Sequence, residues 1–320
     1  MKILITGGEG FIGHRISLEL IRRGHEVVVI DQTQKDGDIG STGTFDALAI
    51  NRFIVHNNVD VVCHMAALVG GGRFLADREF EICTHNMDVD AQVIRGFALS
   101  NAKRLVYCSS SMVFQNGVSP CFEHHQDSET PSIPAPTNNY GFSKLQGERL
   151  AIMAGRQFDK EVVIGRPFNV YGPGELSHHE RDFGISHVIP DFYVKLCRLR
   201  DKGEPFTLFG DGTQTRSFTH ADETARAFAL MCIKPEAAHQ TFNVASEENV
   251  SIEELAHMMA RIMGIRNLEI GYLDAWHGDT KQRKPVVNHI RQQLGWTSLI
   301  PFELGLRRNI EWLEKHQEDL

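Results

Sequence analysis

Tyr140 and Lys144 stand four residues apart in Tyr140-Gly141-Phe142-Ser143-Lys144, so on a helix they share one face. A lysine ammonium beside a phenol stabilises the phenolate and lowers a pKa that is about 10 when unperturbed. The phenol can then exchange a proton with a hydroxyl near neutral pH. Upstream, Ser109-Ser110-Ser111 closes an apolar run that reads as a parallel strand. Ligands of open α/β sheets bind at such strand ends. A serine hydroxyl placed there can hydrogen-bond an oxygen that is being oxidised or reduced.

A second constellation lies at the start of the chain. Gly7-Gly8-Glu9-Gly10-Phe11-Ile12-Gly13 follows one short strand-like run and opens a helix-like one. Gly7 suits a tight turn, Gly10 the close approach of a pyrophosphate, and Gly13 the packing of the helix on the strand. The helix N-terminus, with Phe11 and Ile12 in its first turn, offers amide donors and a positive dipole to the anion. Asp31 ends the next strand, about 20 residues further on, where a carboxylate accepts hydrogen bonds from a ribose 2′-hydroxyl and repels a 2′-phosphate. The Gln-Thr-Gln that follows supplies no arginine. These features predict NAD rather than NADP as cofactor.

The elements that must position these residues alternate. Strands are expected at 2–7, 25–31, 59–67, 104–111 and 161–169, with helices near 11–23, 44–56, 87–100 and 138–158. Near-continuous apolar strands separated by helices predict an α/β fold, a doubly wound parallel Rossmann sheet covered on both faces. After Gly172 the pattern becomes irregular: helices near 187–202, 222–232, 251–263 and 301–316, and strands near 206–209 and 241–245. Ser251 followed by Glu254 forms a capping-box signature. The expected division is a dinucleotide-binding domain over 1–172, rejoined by 211–245, and a smaller C-terminal α/β substrate lobe over 173–320.

Bulk properties narrow the field. The 320 residues are 42% hydrophobic and 23% charged, with a formal net charge of −8. That acidity leaves no broad basic surface for nucleic acid. No apolar run reaches the roughly 20 residues that span a bilayer, and the N-terminus has no signal-peptide pattern, so no membrane association and a cytoplasmic location are expected. The six cysteines form no CxxC pair and read as buried thiols. His124-His125 and His178-His179 are adjacent pairs without the i, i+4 spacing of a helical metal site. No metal is expected.

Taken in order, these motifs carry a resemblance. The chain resembles the extended short-chain dehydrogenase/reductase family, in its NAD-dependent nucleotide-sugar epimerase/dehydratase branch. The likeness runs through ILITGGEGFIG, VVCHMAA at 61–67, YCSSSMVF at 107–114, NNYGFSK at 138–144, GRPFNVYGPG at 165–174, FGDGTQTRSFTHADE at 209–223, and RKP and LGW within 283–296. The resemblance implies that Ser110 is the catalytic serine, Tyr140 the acid/base, and Lys144 its partner and a ligand of the nicotinamide ribose. It places Met65, Ala66, Asn86 and Phe168 at the cofactor, and Asp38-Ile39 at its adenine. It assigns Asn169, Arg216 and Arg283 to the diphosphate of a nucleotide-sugar substrate, with Ser110 and Ser111 toward the sugar. It also implies a homodimer formed through the helices near 87–100 and 138–158.

Members of this branch begin by oxidising a sugar hydroxyl, commonly at C4, to a 4-keto sugar. Its dehydratases and decarboxylases usually carry an acid two residues after the Ser110 position. Here Met112 stands there, and a thioether moves no proton. Ser111 occupies a position where dehydratases often have Asp. A 4-epimerase needs no such acid, so the expected activity is 4-epimerisation of a UDP-sugar. The RKP segment resembles UDP-glucuronate decarboxylases, and decarboxylation, 4,6-dehydration and 4-keto reduction remain alternatives. A non-catalytic NAD-sensing protein would be expected to have lost Tyr140, Lys144 or Ser110; all three are present.

Overall fold

A computed structural model describes residues 1–31, 45–126, 135–136, 138–175, 186–275 and 279–316. The first half runs β1 (Lys2–Thr6), α1 (Phe11–Arg22), β2 (Glu26–Ile30), α2 (Ala47–Asn57), β3 (Val61–His64), α3 (Gly72–Asp77), α4 (Glu79–Ala98), β4 (Arg104–Cys108), α5 (Asn139–Phe158) and β5 (Glu161–Pro167). The second half runs β6 (Val170–Tyr171), α6 (Val188–Lys202), β7 (Phe206–Phe209), β8 (Thr215–Arg216), β9 (Thr219–His220), α7 (Ala221–Ile233) and β10 (Thr241–Val244). It ends with β11 (Val250–Ser251), α8 (Ile252–Ile262), β12 (Ile270–Leu273), α9 (Asn288–Leu294) and α10 (Phe302–Lys315).

Six parallel strands form the central sheet in the order β10-β5-β4-β3-β1-β2. The order reverses beside β1, which opens a crevice at the strand C-termini next to the glycine turn. The period of two along each strand explains why the runs are apolar throughout. Ile3 and Ile5 enter the core shared with α1 and α7, while Leu4 enters the core under α2, α4 and α5. Val61 and Cys63 divide from Val62 in the same way, and Val106 from Leu105 and Tyr107. Each such aliphatic side chain contributes roughly 1.5–3 kcal/mol by leaving water. A third core joins Tyr171, Phe192, Phe206, Phe218, Leu255, Phe302 and Leu306 from the second half.

Local signals set the helix starts. Asp46 accepts from the Ala49 amide at the start of α2. Asn138 accepts from the Gly141 amide at 2.8 Å and fixes the first turn of α5, the helix that carries Tyr140 and Lys144. The capping box of Ser251 and Glu254 opens α8.

Several elements differ from the sequence expectation. Helix α4 starts at Glu79, not near 87, and α3 precedes it. The reason lies in burial: the first turns of α4 bury Ile82 and Asn86 but leave Phe80 83% exposed, so the apolar stripe is too thin to read. Strand β3 stops at His64 rather than 67, because Met65–Gly71 is loop. Strand β12 and helix α9 had no clear pattern; β12 keeps three of its four residues exposed.

Candidate active site

The glycine turn is built by steric necessity. Gly7 has φ +71°, and a Cβ there would lie 2.8 Å from the backbone of Ala66. A Cβ on Gly13 would stand 2.1 Å from the Gly7 carbonyl oxygen, so only glycine lets α1 begin this close to β1. Gly10 is the N-cap of α1 and has no side chain to occupy the first-turn amides. Asp31 accepts from the Glu9 amide at 3.0 Å and braces the turn from β2. The result is an amide-lined cradle open to an anion.

Around the cradle lies one cavity of about 640 Å³. It is lined by Gly7, Gly10, Phe11, Ile12, Gly13, Asp31, Met65, Ala66, Ser110, Ser111, Tyr140, Lys144, Phe168, Asn169, Arg216 and Arg283. The fold thus brings together residues spread over nearly the whole chain. Asn86 is different. It is fully buried and both its amide groups are used on Leu68, accepting from the nitrogen at 2.7 Å and donating to the oxygen at 2.9 Å. Its place is beneath the 65–71 loop, which it holds against the cavity. Asp38 and Ile39 lie outside the described residues.

Helix α5 presses its N-terminus against the Ser110–Val113 turn. A Cβ on Gly141 would meet the Met112 carbonyl oxygen at 2.1 Å, so glycine is required for this approach. The closeness sets the Tyr140 phenol beside the Ser110 hydroxyl on the cavity wall, and that hydroxyl accepts from the Met112 amide at 3.1 Å. Burial raises the phenol well above its usual value, and Ser110 opposes this only in part. Here Lys144 has other neighbours as well as the phenol's face of α5. The lysine ammonium is 3.9 Å from Asp90 Oδ1 and lies 4.7 Å over the Tyr107 ring, so its charge is committed to another partner.

Two arginines also line the cavity. Arg216 donates to the Thr280 and Thr215 carbonyls at 2.7 and 2.8 Å and to Asp279 Oδ1 at 2.6 Å. Arg283 donates to Thr280 Oγ1 at 3.0 Å and lies against the Met112 thioether. Burial, then the neighbouring charge of Arg216, brings the Arg283 guanidinium down to about 10. Two buried guanidinium groups, with Asp279 paired to Arg216, stand together on this wall, a donor set that suits a phosphate or diphosphate.

Sequence reasoning missed several polar groups that line the cavity or, like Asp90, lie behind its wall. Glu175 follows the Tyr171-Gly172-Pro173-Gly174 turn and hydrogen-bonds His187 at the start of α6. Desolvation works against the charged imidazole, but Glu175 and Asp191 outweigh it and raise His187 above its usual value. Asp279, four residues before Arg283, could have been suspected as its local counter-charge. Asp90 could have been found as the one carboxylate on the apolar stripe of α4, beside Val89 and Val93.

A parallel sheet with a glycine-cradled anion site at its crevice, a tyrosine–serine pair and a two-arginine wall defines a dinucleotide-dependent enzyme of the Rossmann type. The chain belongs to the NAD dependent epimerase/dehydratase family, whose model matches residues 3–245. It is similar to the UDP-N-acetyl-alpha-D-glucosaminuronate decarboxylase of Bacillus cytotoxicus, with 27% identity over 99% of each chain. It is also similar to the dTDP-4-dehydro-6-deoxy-D-allose reductase of Streptomyces bikiniensis, with 32% identity over 82% of this chain and 81% of the relative. Among solved structures, MoeE5 in complex with UDP-glucuronic acid and NAD superposes with a TM-score of 0.79 at 29% identity, covering 99% of this chain and 100% of that one. Among the described residues no helix is long and apolar enough to cross a membrane.

Proposed function

We propose that the chain is an NAD-dependent 4-epimerase of a UDP-sugar. One observation carries this reading: the Ser110–Tyr140 pair and the Arg216–Arg283 pair line the same cavity, with Met112 rather than an acid beside Ser110. Gly7, Gly10, Gly13 and the first-turn amides of α1 would hold the cofactor pyrophosphate, Asp31 its adenosine ribose, and Met65, Ala66 and Phe168 its flat rings. The cradle fits, because a side chain at Gly13 would collide with backbone. When bound, NAD supplies a hydride acceptor for C4 and a positive charge. Asn169, Arg216 and Arg283 hold the substrate diphosphate. Ser110 hydrogen-bonds the C4 oxygen, and Tyr140 takes its proton as the carbon gives up hydride. The cavity would let a 4-keto sugar turn, and Tyr140 would then give the proton back to the C4 oxygen. Residues 1–172, with 211–245, would serve the cofactor, and 173–320 the sugar nucleotide.

A 4-keto reductase is the second reading, in which the Tyr140 hydroxyl gives its proton to a carbonyl oxygen. The reductase relative at 32% identity supports the same direction.

A homodimer completes the proposal. Phe80 and Met87 on α4 and Phe142 and Met153 on α5 are exposed, and their spacings of seven and eleven residues keep each pair on one helix face. Four helices, two from each copy, would cover them.

The test is to incubate the purified chain with NAD and a panel of UDP- and dTDP-sugars and follow products by mass and NMR. Epimerisation leaves mass unchanged and inverts one carbon. Loss of water or of carbon dioxide, or oxidation of added NADH by a 4-keto sugar, would replace the epimerase reading. Tyr140→Phe is expected to cut turnover by about 10²–10⁴-fold while NAD stays bound.

A further inference from the structure

Behind the cavity wall lies a buried polar cluster that the proposed reaction does not use. Asp90 on α4 is 1% exposed. Its Oδ2 accepts from the Tyr107 hydroxyl at 2.6 Å, and its Oδ1 pairs with His64 Nε2 at 3.0 Å. Lys144 Nζ is 3.9 Å from the same Oδ1. On its other side, His64 Nδ1 meets Thr6 Oγ1 at 2.7 Å. Burial opposes the charged imidazole and holds His64 below its usual value, so it is neutral. An ionised carboxylate only accepts, hence Nε2 carries the proton and Nδ1 accepts from Thr6. Burial alone would raise the Asp90 carboxyl, but Lys144, His64 and Tyr107 outweigh it and lower it.

The backbone is shaped for this cluster. A Cβ on Gly147 of α5 would stand 2.0 Å from the Tyr107 hydroxyl and 2.5 Å from Asp90 Oδ2. Any larger residue there would push α5 off α4 and break the Asp90 contacts.

We infer that Asp90 is a positioning residue for the reaction: with His64 and Tyr107 it fixes the ammonium of Lys144 at the cavity wall and sets how much positive charge the Tyr140 phenol feels. The inference rests on Tyr140 as the proton-exchanging group. The ionisable groups facing the cluster are His64 from β3, Asp90 from α4, Tyr107 and Cys108 from β4, and Tyr140, Lys144 and Glu148 from α5. Glu148 is neutralised by the buried Arg166 of β5 at 2.7 Å, which leaves Lys144 as the cation facing Asp90. With Asp90 ionised, a Tyr140 phenolate would add a second negative charge beside that single positive one. Without the Asp90 charge, lysine and phenolate would neutralise each other.

The experiment uses Asp90→Asn, which keeps the shape. Its amide can still accept from Tyr107, and His64 can exchange tautomer with Thr6. Tyrosinate absorbance is titrated in Asp90→Asn with and without Tyr140→Phe, and the difference is compared with the same difference in the wild-type background. Tyr140 is expected to ionise about 1–3 pH units lower in Asp90→Asn, and the rising limb of the kcat–pH profile should move the same way. An unmoved Tyr140 titration in folded protein would overturn the inference. Because that readout needs no turnover, wild-type inactivity on every sugar nucleotide would reject the proposed reaction without touching Asp90. If Asp90→Asn does not fold, thermal midpoints decide. Lys144→Met should be less stable than wild type at neutral pH because it strands a buried carboxylate, and Lys144→Met with Asp90→Asn should recover. Equal midpoints for the single and double variants would refute the pairing.

Discussion

Replacing Arg216 by glutamine separates two roles that one side chain performs. The first is structural. Arg216 and Asp279 are paired at 2.6 Å with side chains only 16% and 9% exposed. Removing one partner of a buried pair costs about 3–5 kcal/mol, and the residual exposure of Arg216 places this case near 3. Burial already holds the Asp279 carboxyl above its usual value, with Arg216 opposing; without Arg216 it rises further. A carboxyl whose folded-state pKa exceeds its unfolded value of about 3.9 binds its proton more tightly when folded. The deficit of Arg216→Gln is therefore small below that unfolded value and grows as pH rises through the folded one. Thermal midpoints should converge with wild type in acid and fall behind it at neutral pH. Adding Asp279→Asn removes the stranded charge and should restore most of the loss.

The second role is binding, and it should not recover. A charge-assisted contact to a phosphate is worth about 1.5–3 kcal/mol. The double variant should therefore bind UDP about 10–150-fold more weakly by calorimetry, with KM raised more than kcat is lowered. Wild-type UDP affinity in the stable double variant would show that Arg216 only braces Thr280 and Asp279, and the anion-site reasoning would be wrong.

Two further predictions follow the same logic. Gly13→Ala sets a methyl 2.1 Å from the Gly7 oxygen, so it should cost about 1–3 kcal/mol of stability and weaken NAD binding in a fluorescence titration; unchanged affinity would argue against the cradle. Phe80→Glu with Met87→Glu places charges on the exposed face of α4. Light scattering should then report a monomer against the dimer proposed for the unaltered chain, and identical masses would exclude this face as the interface.

Much of the fold was legible because its signals are local. Apolar strands spaced by amphipathic helices, the glycine turn and the Ser251–Glu254 capping box each act within a few residues. Where burial was sparse, as in the first turns of α4, the same reading failed. The named site residues were legible as types in order, but their relations were not. Tyr140 and Lys144 do share a helix, yet their spacing could not say that Lys144 faces Asp90, which the fold delivers from a separate helix. The resemblance places Asn86 near the cofactor, and the fold shows in addition that it accepts from and donates to the Leu68 backbone, a contact that no sequence spacing announces.

By itself the chain's order of residues determined the parallel sheet, the anion cradle and the presence of a phenol, a hydroxyl and two arginines suited to sugar-nucleotide chemistry. Tertiary structure alone decided which charges neutralise which. Asp279 meets Arg216 across 63 residues and Asp90 meets Lys144 across 54, and burial makes those meetings strong. Hydrophobic periodicity is written along a single element, whereas electrostatic partnership in a dry interior depends on distances that exist only once separate elements have packed.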